Sequence, residues 1–220
     1  MNTYNTSKTN KVIRGSNRAT YDKDTIDSII EAGFIGYVSY LFEDTPITIP
    51  MAYGKIEDKI YLHGSLKNRM LLSILENEQM SMTIMHLDGL VLTRSGFHHS
   101  VNYRSVTVFG KATKVEKPKL KTAALKCVID QMIPKRWDTL RPMTDKELKS
   151  TLVIEVRINN ASAKVRAEGA IDEKSDLELP IWAGVIPIKQ IAEVPISDNS
   201  VLENIKVPKH VLDYYYQNRN

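Results

Sequence analysis

About seven runs of strand character, most joined by short turns, constrain this chain more than any other feature in it. Residues 34–42 alternate and are rich in aromatic and β-branched side chains. Residues 47–53 follow a Glu43-Asp44-Thr45-Pro46 turn. Pro50 within them marks an edge position, a bulge or a backbone that faces a ligand. Ile60, Tyr61 and Leu62 lead to His63, and residues 80–87 and 90–93 flank Asp88-Gly89, a strong hairpin signal. Residues 106–115 contain Gly110, which suggests a bulge or a close backbone approach. Residues 151–157 alternate Leu152, Ile154 and Val156, and 162–165 continue the sheet. Helical periodicity falls between these runs, over 22–33, 117–133 and 144–149, with a short aromatic helix at 211–216. Tight joins between strands favour an antiparallel barrel with helices outside over a doubly wound parallel sheet. No repeat and no Pro/Gly/Ser linker divides the chain, so residues 18–220 read as one domain behind a flexible tail at 1–17.

The stretch 59–75 carries the most chemistry. A strand ends at His63, Gly64 and Ser65 break it, and Leu71, Leu72 and Leu75 then fall on one helical face. Ser65 is the expected N-cap, with Lys67, Asn68 and Arg69 in the first turn. Cations at a helix start meet like partial charge, which makes sense if an anionic phosphate lies between them and the free amides. A capped surface helix with solvated basic side chains accounts for the same residues equally well. The spaced glycines of a Walker loop or a dinucleotide fingerprint are missing.

Composition narrows the function classes. With 42% hydrophobic and 25% charged residues over 220, the chain is of ordinary globular make-up. The net charge of +4 and pI ≈ 9.0 permit nucleic-acid binding without arguing for it, since acidic residues interleave with basic ones. No apolar run would span a membrane, and the polar start lacks a signal core. The single Cys127 excludes an intrachain disulfide and fits a reducing compartment. A cytoplasmic protein without membrane or nucleic-acid partners is expected.

His98 and His99 are adjacent and point apart in an extended segment, so they form no metal pair, and no metal site is expected. Ser95 and Ser100 lie near histidines without a nucleophile elbow. No catalytic acid or base stands out. His63 reads more readily as a packing or hydrogen-bonding residue than as a proton donor.

Taken in order, several segments resemble the FMN-binding split-barrel superfamily, which includes pyridoxamine 5'-phosphate oxidase, the nitroimidazole-resistance proteins and flavin-nucleotide-binding proteins. They are Pro50-Met-Ala-Tyr53, Ile60-Tyr-Leu-His-Gly-Ser65 with Arg69, Asp88-Gly-Leu-Val-Leu92, His98-His-Ser-Val-Asn-Tyr-Arg-Ser-Val106, Ser162-Ala-Lys-Val-Arg166 and Leu179-Pro-Ile-Trp-Ala-Gly-Val185. The resemblance implies a mainly β fold with peripheral helices, a six-stranded antiparallel split barrel, forming a homodimer with FMN in clefts at its interface. It implies that His63, Gly64 and Ser65 lie along the flavin and that Arg69, with Lys67 or Asn68, meets the phosphate. Met51 and Ala52 would offer backbone to the ring. Tyr103, Arg104 and Ser105 would reach the same cleft, with the choice among Ser100, Asn102 and Arg104 left open, and Trp182 would close it. The implied activity is flavin-dependent oxidoreduction of a small molecule, the alternative being a flavin carrier or sensor without turnover. The chain ends Val211-Leu-Asp-Tyr-Tyr-Tyr-Gln-Asn-Arg-Asn and lacks the Arg-rich motif that grips vitamin B6 in the oxidase, which speaks against that substrate.

Overall fold

A computed structural model describes residues 2–220. The elements run β1 (Ala19–Thr20), α1 (Lys23–Glu31), β2 (Ile35–Phe42), β3 (Thr45–Ala52), β4 (Gly54–Ile56), β5 (Lys59–Ser65), α2 (Arg69–Asn77), β6 (Gln79–Leu92) and β7 (Ser100–Lys114). They continue with α3 (Pro118–Met132), α4 (Asp145–Ser150), β8 (Thr151–Arg166), β9 (Gly184–Pro187) and α5 (Lys209–Asn218). The sheet order is β3-β2-β6-β7-β8-β5-β4, with β1 on β8 and β9 on β6. Every pairing is antiparallel. The strand count is nine rather than six, because β1, β4 and β9 are short additions of two, three and four residues. The fold class is the expected one.

Alternation decides what goes inside. Val38 and Tyr40, Ile60 and Leu62, Met82 and Ile84, Val106 and Val108, and Ile154 and Val156 fill one buried cluster. Ile26, Ile29 and Ile30 of α1 and Met70, Leu71 and Ile74 of α2 enter the same cluster, so both helices close over the core. α1 starts on Asp22, whose carboxylate accepts from the Thr25 amide. The carbonyls at and just past its end are met by side chains from the β3–β4 junction, α3 and β6. Tyr53 donates to the Ile30 carbonyl at 2.5 Å, Gln131 to Gly33 at 2.8 Å, and His86 Nε2 lies 2.9 Å from the Ile29 oxygen. On the opposite side of the sheet, α3 and α4 cover Val153 and Tyr61 in a second cluster with Trp137 and Met143.

Three local expectations change. First, Asp88-Gly89 is no hairpin. β6 runs through it to Leu92, the register with β7 shifts between Leu87 and Gly89, and Asp88 is the extra residue of a bulge. The true hairpin turn is residues 93–99, and β7 begins at Ser100 instead of near Val106. Pairing with β7 on one side and β9 on the other keeps β6 extended, and an Asp-Gly pair suits a bulge as well as a turn. Second, Ser65 does not cap α2. It stays in the β5–β8 ladder opposite Thr151, a turn follows with Asn68 N donating to Ser65 O at 2.9 Å, and Asn68 is the N-cap, accepting from Leu71 N at 3.0 Å. Third, residues 2–17, expected as a tail, contact the barrel: Asn10, 2% exposed, donates to the Ala161 carbonyl at 3.1 Å.

Two prolines behave as the pattern requires. Pro46 and Pro50 both lie on β3, the edge strand, where a missing N–H costs no ladder bond on the open side. Among the described residues, no helix is long and apolar enough to cross a membrane.

Candidate functional site

The predicted site residues fall into two groups. In the first, Met51, Asn68 and Arg69 line one cavity of ≈ 330 Å³ together with Tyr40, Ile49, Pro50 and Met70. The fold makes this cavity by bringing the start of α2 against β2 and the edge strand β3. Ala52 is the next residue on β3, and His63, Gly64, Ser65 and Lys67 form the path into the helix. Gly64 permits the approach: a Cβ there would lie 3.0 Å from Asn68 Nδ2 and 3.2 Å from Leu71 Cδ1.

Arg69 is the first residue of α2, and its guanidinium lies 4.5 Å from the Phe42 ring centroid. Among the described residues it meets no carboxylate. Stacking on Phe42 shields one guanidinium face and holds the fork at the mouth of the helix, where the macrodipole favours an anion. Ser65 Oγ accepts from Lys67 N at 3.3 Å, so its hydroxyl hydrogen stays available to a ligand. β3 pairs on one side only, which leaves backbone donors and acceptors open beside Met51 and Ala52.

His63 occupies the face of β5 opposite the buried Ile60 and Leu62. Its Nδ1 is buried without a partner, and burial holds the imidazole below its ordinary pKa of 6.5. Burial therefore favours the neutral imidazole in the fold. The unfolded chain binds a proton there that the folded chain refuses, so stability rises with pH across the window from the depressed folded value up to about 6.5. Denaturant titrations at pH 7.5 and in acid should show this loss, and His63→Gln should flatten its share of the slope. An unchanged slope would mean that His63 is solvated.

The second group lies on β7. Tyr103, Arg104 and Ser105 pair with Leu87, His86 and Met85 of β6. Arg104 is held by Asp88 in a two-pronged contact, Nε to Oδ2 at 2.9 Å and Nη2 to Oδ1 at 2.8 Å. Asn102 is buried and accepts from Arg166 Nη1 at 2.5 Å while donating to the Glu168 carbonyl. Its polar atoms are thus occupied in tying down the chain after β8. Trp182, 65% exposed, precedes β9 and packs on Gly184, where a Cβ would fall 2.7 Å from the indole. A latch steadies this segment: Asp172 accepts from the Arg94 amide at 2.7 Å and from its guanidinium at 2.8 Å. Within one chain the β7 residues and Trp182 are absent from the lining of the Arg69 cavity.

Tyr40 and Phe42 escaped the reading of the sequence. Alternation along β2 does turn both toward the α2 side, but only the fold reveals that α2 begins there. The same holds for Asp88, whose partner is sixteen residues away in sequence.

The family model for pyridoxamine 5'-phosphate oxidase matches residues 22–165. No curated protein matches the chain. Among solved structures, the flavocytochrome Anf3 from Azotobacter vinelandii superposes with a TM-score of 0.89 at 33% identity, covering 94% of this chain and 97% of that one. An FAD- and haem-binding protein from Mycobacterium smegmatis follows at 0.85 and 27% identity, covering 90% and 97%. A protein assigned to 5-nitroimidazole antibiotic resistance from Bacteroides thetaiotaomicron shares the fold, with a TM-score of 0.58 at 22% identity over 67% of this chain and 86% of that one. The family match ends at Val165, so β9 and α5 lie beyond it, whereas the first two structures cover nine-tenths of the chain or more. The chain belongs to the pyridoxamine 5'-phosphate oxidase-like family of flavin-binding split-barrel proteins.

Proposed function

We propose that this protein is a flavin-dependent redox protein, one domain over residues 18–220, that works as a homodimer on an unidentified small molecule. The observation that carries this reading is Arg69: a guanidinium at the start of α2, stacked on Phe42 and free of carboxylates among the described residues, beside an edge strand with open backbone groups. A flavin needs a basic group for its phosphate, backbone partners for its ring edge and an apolar wall. The first group of residues supplies all three. FAD is favoured over the FMN implied by the resemblance alone, because a relative similar over 90% of this chain is an FAD-binding protein. A bound flavin supplies electron or hydride transfer, and this chain supplies binding and orientation.

The dimer is supported by the separation of the two residue groups and by an exposed apolar patch beside the second of them. Ile35 and Tyr37 of β2 and Met85 and Leu87 of β6 project outward from neighbouring strands, with Tyr37 49% and Met85 52% exposed. An apolar patch of this kind on a sheet face fits a second copy, which would bring its Tyr103 and Trp182 near the first chain's Arg69. Light scattering on the flavin-loaded protein should give a dimer, and Tyr37→Asp should yield monomer and release flavin in parallel. Flavin held by a monomer would contradict the shared cleft. Anaerobic addition of NADH or NADPH then separates an oxidoreductase, whose flavin bleaches, from a carrier, whose flavin does not.

A haem is a second group supported by the whole-chain likeness to a flavocytochrome and to a haem-binding protein. The donor set fits. His86 Nε2 is engaged with Ile29, His98 Nε2 faces Glu173 at 3.5 Å, and His210 Nε2 is buried. His99 differs: its Nδ1 lies 3.0 Å from the Ser95 carbonyl and 3.2 Å from Thr93 Oγ1, and its Nε2 has no partner among the described residues on this exposed side chain. A carbonyl behind the imidazole is the usual support for a metal-ligating histidine.

A further inference from the structure

Past β9 the chain carries a dense run of uncovered apolar side chains. Val194, Ile196, Leu202 and Ile205 are 66%, 95%, 70% and 55% exposed. Residues 193–207 hold no helix or strand, and their backbone hydrogen bonds are local, Val201 N to Asp198 O and Ile205 N to Leu202 O. Yet the segment is fixed on both sides. Ile188 N donates to Asp88 O at 3.0 Å and Ala192 N to Asn218 O at 2.8 Å, and Tyr214 of α5 shares a cavity of ≈ 820 Å³ with Phe34, Met85 and Leu87. A solvated tail would be polar. An anchored segment with four bare aliphatic side chains is an arm suited to another surface. Pro195 and Pro208 restrict its backbone, which lowers the ordering cost of docking.

A receiving surface lies at the end of the sheet where β6 begins and β7 ends. This groove of ≈ 450 Å³ has Leu41, Pro46, Phe109, Asn159 and Asn160 in its lining. Leu41 is 49% exposed and pairs with Pro46. It shares the outward side of β2 with Ile35 and Tyr37, so the groove continues the apolar face assigned above to the dimer. Phe109 pairs with Asn160 and Gly110 with Ile158, so Asn159 is an extra residue in β8, as at a bulge. Among the described residues neither asparagine has a side-chain hydrogen bond. An apolar floor with two free amides suits an extended chain. Aliphatic side chains fill the floor, and the amides meet backbone N–H and C=O groups that no sheet satisfies.

We infer that in the dimer the arm of each subunit, residues 193–207, docks in the groove of the other. The inference rests on the dimer proposed above. That pairing sets the second copy's Tyr103 and Trp182 near Arg69, and Arg69 stacks on Phe42, the neighbour of Leu41. Tyr103 pairs with Leu87, beside the root of the arm. The same pairing therefore carries the second copy's arm to the Leu41 end of the face. Two-fold symmetry repeats the contact, so the dimer gains it twice.

The test compares the wild type, the arm variant Ile196→Asp with Leu202→Asp, and the groove variant Leu41→Asp. Sedimentation across a dilution series gives the dimer dissociation constant, and a fluorescent peptide spanning residues 190–207 probes the groove. Both arm residues are exposed within one chain, so the arm variant should keep the wild-type circular dichroism. Its dimer dissociation constant should rise about tenfold or more. The peptide should bind the arm variant, whose grooves stand open. It should bind neither the wild type, whose grooves are filled, nor Leu41→Asp. A peptide that binds Leu41→Asp as well as it binds the arm variant, or that binds neither, would overturn the inference. A wild-type dimer that Tyr37→Asp splits and the arm variant leaves intact overturns it too, while sparing the dimer reading. A wild type that stays monomeric with flavin bound ends both.

Discussion

Gly110→Ala is expected to destabilise the protein by about 3 kcal/mol or more, enough to leave little soluble protein. A Cβ at this position would lie 2.1 Å from the Arg157 carbonyl oxygen and 2.7 Å from Val156 Cγ1. The first of these is backbone in a paired strand. It can move only if β7 and β8, the two longest strands, part at the bulge that fixes their register. A one-residue slip there would turn Val106 and Val108 outward and empty the core of two of its layers. Gly96→Ala is the matched control, since nothing lies within 4 Å of a Cβ built there, and it should stay within about 0.5 kcal/mol of the wild type. Denaturant midpoints of the two variants check the claim. A Gly110→Ala protein unfolding at the wild-type midpoint would mean that the strands do not meet there.

Arg69→Ala combined with Ser65→Ala should give a folded dimer that purifies without flavin. A charge-assisted hydrogen bond to phosphate contributes about 2–3 kcal/mol, or one to two decades of affinity, and the hydroxyl adds to it. The fold makes this a cleaner test than the sequence suggested. Because Asn68 and not Ser65 caps α2, the helix keeps its N-terminal hydrogen bond in the double variant. The Phe42 ring loses its stacked partner, but no buried charge is stranded. Circular dichroism and light scattering should match the wild type, while released flavin, measured by fluorescence, falls to a small fraction. Full flavin occupancy would show that the phosphate is held elsewhere.

The fold was largely legible because its determinants are local. Alternation marked the strands, Pro50 marked the edge, Gly110 marked the close approach, and the periodic isoleucines of α1 marked its buried face. The errors share a cause. Asp88-Gly89 and Ser65 both carry strong local signals, for a turn and for a cap, and both were overruled by strand pairing. β6 is held straight by β7 and β9, and Ser65 is held in register by β8. Such pairings span tens of residues in sequence and leave no local trace. The site was legible in part for the same reason. The residues from His63 to Arg69 are contiguous and were read together from the sequence, but of these only Asn68 and Arg69 line the cavity, and Tyr40 and Phe42 come near it only through the packing of α2 on β2. Arg104 was singled out for its charge, and only the folded chain shows that Asp88 already holds it.

The most direct test of the central claim is the visible absorption spectrum of the freshly purified protein, followed by heat release and identification of each chromophore. The account predicts a flavin band, with FAD released in amounts approaching one per chain, and a haem Soret band in preparations supplied with haem. A colourless protein that also fails to take up FAD or FMN would contradict it, leaving a split barrel whose Arg69 cavity serves some other anion.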